Sequence, residues 1–387
     1  MTGTLAALAV LAGGYVLAYL LYDRLRDRFG YVGGAEYVLL GLFLGRSGVL
    51  SANAIRDLTP LVSLALGWMG MLLGTKFRFS QLARLEPAWL GIAFTEAVTT
   101  FGTALGALLV ALHYGAGMEF SAAMLPAVAL AAVATVGAPA AVDALARRGF
   151  EKHPFLPILR FTARIDAFIG VAAFGLVLGV LHLGTVQPGV RPPTATEWAV
   201  INLGVGLASG VLFHLFLGPR DDAGDPGTDD SRLFVSLAGA IVVASGVAYY
   251  LNLSPIYTNL ILGVVLANSG STHERASNLL AATERPVYLA LLIFAGAAWH
   301  PGDSTLLWLA IGFVGIRLFA RLVGGRAAGT AHRDPALRAP RMGRALLAQG
   351  AIGVALAINY TQVEGAPIPD LVLTATILSI LLFGWIS

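Results

Sequence analysis

The sequence predicts an all-α membrane protein of about thirteen transmembrane helices, built as two inverted-topology six-helix repeats with crossed, discontinuous helices. Three observations predict it: the length of the apolar runs, the distribution of Lys and Arg between them, and one internal match between two of them.

Hydrophobic residues fill 57% of 387 positions and charged residues only 12%, against about a quarter charged in an ordinary soluble domain. The apolar runs are about 17 to 25 residues long, which at 1.5 Å per helical residue crosses a hydrocarbon core of roughly 30 Å. Continuous stretches such as residues 176–181, Leu-Val-Leu-Gly-Val-Leu, exclude the alternation of a membrane β-barrel. Cysteine is absent, which removes disulfides, thiolate nucleophiles and cysteine-bound metals. A net charge of +3 does not point to nucleic acid, because the basic residues sit in loops beside apolar spans.

Spans are expected near 4–22, 34–51, 58–75, 88–113, 119–146, 155–183, 196–218, 232–251, 256–270, 284–299, 304–324, 342–361 and 369–386. The first reads as a retained helix, since no basic segment precedes it and no cleavage motif follows. Connections after spans one, three, five, seven, nine and eleven carry most of the basic residues, among them Arg24, Lys76, Arg148, Arg275 and Arg338. The opposite connections hold only Arg46, Arg56 and Arg191. By the positive-inside rule this predicts an inner (cell) membrane protein with the N-terminus outside and the C-terminus cytoplasmic. The acidic segment 218–231 lacks the ligand spacing of a calcium loop and reads as a solvated linker.

Residues 40–48, Leu-Gly-Leu-Phe-Leu-Gly-Arg-Ser-Gly, align with 262–270, Leu-Gly-Val-Val-Leu-Ala-Asn-Ser-Gly, at an offset of 222. The second span thus matches the ninth, and seven helices of separation give the copies opposite directions. Repeat one is expected over about 1–184, a linking helix over about 195–218 and repeat two over about 231–387, as a single transmembrane domain with no soluble regulatory module.

In such folds the site lies near the midplane, where matching helices of the two halves are interrupted. Span five contains Thr135, Gly137 and Pro139, and span twelve contains Gln349, Gly350 and Gly353; proline removes a backbone donor and glycine tolerates unusual dihedrals, so both favour unwinding. Ionisable residues deep in a span are expensive and mark function. Asp166, in the middle of span six, is able to hold either a proton or a bare monovalent cation, with Arg160 or Arg164 as an alternative, structural partner. Thr162 and Thr135 would supply neutral oxygens, and Glu96, among Thr95, Thr99 and Thr100, is a second proton site or a partner for a buried cation. Arg317 needs a counter-charge from Glu96 or Asp166, or else the carbonyl ends of the broken helices, while Arg321 is expected to snorkel towards the cytoplasm. His182 and His214 lie at span ends and read as interfacial. Phosphate-binding loops, zinc-protease motifs and nucleophile elbows are absent, so neither an enzyme nor a nucleotide-driven pump is expected.

The run Ala348-Gln349-Gly350-Ala351-Ile352-Gly353-Val354-Ala355-Leu356-Ala357, the segment Thr162-Ala163-Arg164-Ile165-Asp166-Ala167, the second span through Gly41 to Ser47-Gly48, and Asn268-Ser269 with Phe294-Ala295-Gly296 together resemble the monovalent cation/proton antiporter superfamily, the sodium/proton exchangers. The likeness runs over nearly the whole chain. It implies a homodimer whose core, spans four to six and eleven to thirteen, moves by alternating access against a fixed scaffold. Asp166 takes the place of the ion-binding carboxylate, Na+ or K+ and H+ are the cargo, and no cofactor is involved. Ile165, Phe161, Gly137, Ala138 and Gln349 depart from the family pattern and leave the site with fewer polar ligands. One carboxylate without an acidic neighbour points to electroneutral one-for-one exchange, unless Glu96 also titrates. The alternatives are a sodium-coupled organic-anion symporter of related fold and a transport-inactive homologue acting as sensor or subunit.

Overall fold

In the computed structural model, residues 34–139, 142, 155–183, 191–217, 226–269, 273–301, 304–331 and 342–383 are described, and their regular structure is helical. Besides a four-residue helix Phe79–Leu82 in the connection before Pro87, the helices in chain order are α1 (Ala35–Arg46), α2 (Ala52–Thr75), α3 (Pro87–Gly115), α4 (Phe120–Thr135), α5 (Leu156–Leu181), α6 (Ala195–Leu212, running into a π-helical turn Phe213–Leu217), α7 (Pro226–Tyr250), α8 (Pro255–Asn268), α9 (His273–Ala297), α10 (Ser304–Ala331), α11 (Met342–Ala345), α12 (Ala351–Gln362) and α13 (Pro369–Phe383). They stand where spans two to thirteen were expected, and the first expected span lies outside the described residues. Seven, namely α2, α3, α5, α6, α7, α9 and α10, are long and apolar enough to cross a membrane by themselves.

Several ends differ from expectation. α9 begins at His273 and α10 continues to Ala331, because their charged turns project beyond the apolar stretch that hydropathy detects. α7 starts at Pro226, so the end of the acidic linker is helical. Proline opens α3, α5, α7, α8 and α13 within their first two residues, where its missing N–H has no partner to lose. Ser51 and Ser254 cap α2 and α8 through their side chains, and Thr194 with Glu197 closes a capping box on α6, satisfying donors that a helix leaves orphaned.

Two helix pairs are held backbone to backbone. α8 lies on α2 and α9 on α1. A Cβ on Gly41 would come within 2.0 Å of the Ile293 carbonyl, and one on Gly296 within 2.0 Å of the Val38 carbonyl. Likewise a Cβ on Gly74 would meet the Leu260 carbonyl at 2.2 Å and one on Gly263 the Met71 carbonyl at 2.4 Å. Where no hydrophobic force separates helix from lipid, such small-residue contact maximises dispersion between them. α6 and α7 flank α8 on the same side of the molecule.

The remaining helices form a second group around α4. Every residue of α4 from Leu125 to Thr135 is buried, as suits a helix that is apolar all round and therefore central. α3 packs along α10, α5 fills the angle between α3 and α4, and α12 and α13 close the far side. α4 ends at Thr135, and helix resumes at Pro139. α11 ends at Ala345, and α12 starts at Ala351. The two interruptions touch: the Ala138 N–H donates to the Ala348 carbonyl at 2.9 Å. Gly350 permits that approach, since a Cβ there would stand 3.1 Å from the Ala138 Cα. Both breaks therefore fall where Gly137, Pro139 and Gly350 indicated.

Candidate functional site

Breaking a helix inside an apolar core strands carbonyls at its C-terminal end, and each stranded group must find a donor. α10 supplies it. Arg317 donates through Nη1 to the Val133 carbonyl at 2.6 Å and through Nη2 to those of Val136 and Leu347 at 3.1 and 3.0 Å. One side chain thus ties the end of α4 to the segment before α12. Its positive charge also opposes the negative dipole end of α4. Between the two expectations for Arg317, the structure selects the carbonyl ends and not a carboxylate.

One turn along, on the same face of α10, Arg321 takes the acids. Its Nη1 lies 2.7 Å from Asp166 Oδ2 and 3.1 and 3.3 Å from the two Glu96 oxygens. Its Nη2 donates to the Thr135 carbonyl. The expectation that Arg321 snorkels outward is overturned: its side chain is fully buried. The physical reason is the true length of α10, which continues ten residues past Arg321 to Ala331. The position is thereby about 15 Å from the helix end and out of reach of the surface. The sequence signal was a second arginine four residues after the first, within an apolar helix.

Asp166 is fully buried on α5 and its ion pair is to Arg321. Of the two alternative partners, Arg164 is exposed on another face of the helix and Arg160 is only half-buried, six residues before Asp166. Glu96 on α3 is equally buried and also accepts from Thr100 Oγ1 at 3.0 Å. Glu96 is thus partner to a buried cation, the guanidinium of Arg321. Two carboxylates and two guanidiniums make a neutral quartet when all are ionised, which suits a dry interior.

The quartet leaves unused capacity. Among the described residues Asp166 Oδ1 has no hydrogen-bond partner, and neither Oε1 nor Nε2 of Gln349 has one. Gln349 sits in the second interruption, folded over Gly353, whose added Cβ would meet Nε2 at 2.6 Å. The Thr162 hydroxyl donates to the Ile158 carbonyl at 2.9 Å and that of Thr135 to Ala131 at 2.8 Å, so their protons are spent within their own helices while their lone pairs stay open. The structure therefore brings Glu96, Asp166, Arg317 and Arg321 around the crossing, with Thr135, Gly137, Pro139, Gln349 and Gly350 at the crossing itself. Among the described residues no group of three or more His, Asp or Glu side chains is arranged to hold a resident metal ion.

No family model and no curated protein matches this chain. Solved structures do. The sodium proton antiporter MjNhaP1 from Methanocaldococcus jannaschii, in its structure at pH 8, superimposes with a TM-score of 0.68 at 12% identity over 99% of this chain and 95% of that one. An electron-microscopy structure of the same antiporter gives 0.64 at 12% identity over 98% and 93%. The chain has the fold of a sodium proton antiporter over essentially its whole length.

Proposed function

We propose that this protein is a secondary antiporter that exchanges a monovalent cation, Na+ or K+, for H+ across a cell membrane by alternating access, with Asp166 as the shared site. The observation that carries the reading is a buried carboxylate, with one oxygen unpartnered among the described residues, beside two interrupted helices that touch at Ala138 and Ala348. Protonated Asp166 is neutral, and deprotonated Asp166 is neutralised by a bare cation. One group that cannot hold both is what an exchanger requires.

Arg321 occupies Asp166 in the present arrangement, so a cation has to displace it. Its links to both oxygens of Glu96 and to the Thr135 carbonyl keep the guanidinium satisfied after it leaves Asp166. Glu96 then acts as the fixed partner of Arg321. One H+ replaced by one monovalent cation on Asp166 gives electroneutral exchange. The Oδ1 of Asp166, the lone pairs of Thr162 and Thr135, and Oε1 of Gln349 are the oxygens offered to the cation.

The helix packing within the chain supports two inverted repeats about a linking α6; the thirteen-span count and the homodimer rest on the sequence reading alone. Exchanging spans two with nine and three with ten maps the α2–α8 pair onto the α9–α1 pair, and both pairs close on glycines. Gly41 and Gly263, equivalent in the internal alignment, each make one of these contacts. We assign the N-terminus to the outside and the C-terminus to the cytoplasm from the distribution of arginines.

The grip of Arg321 on Asp166 favours a second reading, a transport-silent homologue in which the pair is permanent. Proteoliposomes decide between them. An imposed Na+, K+ or Li+ gradient is expected to drive a pH change that Asp166→Asn abolishes. Silence towards every cation in well-folded protein would leave the sensor or subunit reading standing.

A further inference from the structure

Only three arginines serve the connections on the Lys/Arg-poor face of the molecule, and two of them meet in one place. Arg191 does not: it pairs with Glu197 at 2.5 Å. Arg46, at the end of α1, and Arg56, in the first turns of α2, line a cleft of about 400 Å³ that is closed by the segment after α9. Its walls are Leu42, Leu50 and Trp299, and His300 stands at its edge. Among the described residues no acidic side chain lines it and neither arginine has an ion pair. His300 turns Nδ1 to the Ala298 carbonyl at 3.0 Å, which leaves Nε2 for another partner.

Two unpaired guanidiniums over an apolar cavity need an anion that is itself amphipathic. Guanidinium matches phosphate oxygens in pairs, and basic pockets between membrane helices hold anionic headgroups. The surface next to the cleft argues for a lipid over a free ion: along α1, Leu39 and Phe43 are 54% and 68% exposed, a strip on which acyl chains can lie. Trp299 adds an indole of the kind that settles at the headgroup level. We propose that this cleft binds the phosphate of an anionic phospholipid between Arg46 and Arg56, with its chains along Leu39 and Phe43. The bound lipid would also touch the junction of the two helix groups, because the Trp299 indole N–H donates to Thr374 Oγ1 on α13 at 3.1 Å.

The test is lipid retention by the full chain, read by native mass spectrometry and thermal melting in neutral detergent. The probes are dioleoyl phosphatidylglycerol, dioleoyl phosphatidylcholine and inorganic phosphate. Phosphatidylglycerol should be retained in preference to phosphatidylcholine. At about 1 kcal/mol per basic residue, R46Q or R56Q alone should weaken that preference about fivefold. R46Q/R56Q should remove it, and R191Q should leave it unchanged. The single variants carry the test if the double one does not fold. Equal retention of both lipids, unchanged retention in the single or double variants, or stabilisation by inorganic phosphate equal to that by phosphatidylglycerol would overturn the proposal. None of these readouts involves Asp166 or transport, so the outcome is independent of the antiport reading.

Discussion

The glycine-packed pairs α1–α9 and α2–α8 and the charged crossing of α4 with α11–α12 handle the same problem in opposite ways. In the first, helices approach until backbone meets backbone: Gly41 faces the Ile293 carbonyl, Gly263 that of Met71. Their contacts are made by backbone and glycine with no buried charge between them, so no ion pair has to be exchanged across the seam. In the second, helices are broken, carbonyls are stranded, and Arg317 and Arg321 hold them together through seven hydrogen bonds from α10. Those bonds have alternatives, since Arg321 serves three acceptor residues at once. A rigid pair suits a fixed wall, and an exchangeable network suits a site whose occupant changes.

The contrast is tested most severely at Arg321. Arg321→Gln leaves Glu96 and Asp166 buried without their cation, so a loss of about 3–5 kcal/mol is expected, measured as a large fall in melting temperature of the purified protein. Adding Glu96→Gln should restore part of it, because one stranded charge is then gone; no recovery would mean that the two acids do not share Arg321. Gly263→Val probes the other region. Its side chain would meet the Met71 carbonyl and Gly74, and a loss of about 1–3 kcal/mol is expected for overpacking, with any remaining folded protein still exchanging cations. Unchanged melting would sink the account of the α2–α8 contact.

A milder change separates stability from chemistry. Asp166→Asn keeps the shape of the side chain, and Arg321 retains Glu96 and the Thr135 carbonyl. The melting temperature should therefore move far less than in Arg321→Gln while exchange disappears. Thr162→Val removes a hydroxyl that donates only within its own helix, and stability should change by less than about 1 kcal/mol. A rise in the cation concentration for half-maximal exchange would identify its oxygen as a ligand, and an unchanged value would remove Thr162 from the site.

The smallest effect lies outside both regions. His182, just past α5, stacks on Trp198 of α6 with ring centroids 3.4 Å apart, and burial holds its pKa below the ordinary 6.5. The folded protein thus favours the neutral ring, while the unfolded chain takes up the proton more readily. Stability from this contact is complete above about pH 6.5 and is lost as pH falls through the lower, folded value. A phenyl ring carries no proton, so melting curves of His182→Phe and the parent should separate most in the acid range, where only the histidine becomes charged.

Much of this was legible in residues. Apolar runs placed helices at spans two to thirteen, because the length of a bilayer crossing is written directly in hydropathy. Gly137, Pro139 and Gly350 located both interruptions, since backbone freedom and a missing N–H are local properties. Asp166 and Glu96 stood out because a charge inside an apolar run is rare. Helix ends were less legible: charged turns continue α9 and α10 beyond the apolar stretch, and only packing stabilises them. The misplaced end of α10 in turn misassigned Arg321.

The sequence alone determined that the chain reads as membrane-spanning helices, which helices break, and that Glu96, Asp166 and Arg317 lie deep among them; these follow from local composition and backbone chemistry. Only the tertiary structure decided which arginine serves the carbonyls and which the acids, that the two interruptions meet at Ala138 and Ala348, and that Arg46 and Arg56 share one cleft. Such pairings join residues from 10 to more than 200 positions apart, and partners that distant are chosen by helix packing, which no local pattern encodes.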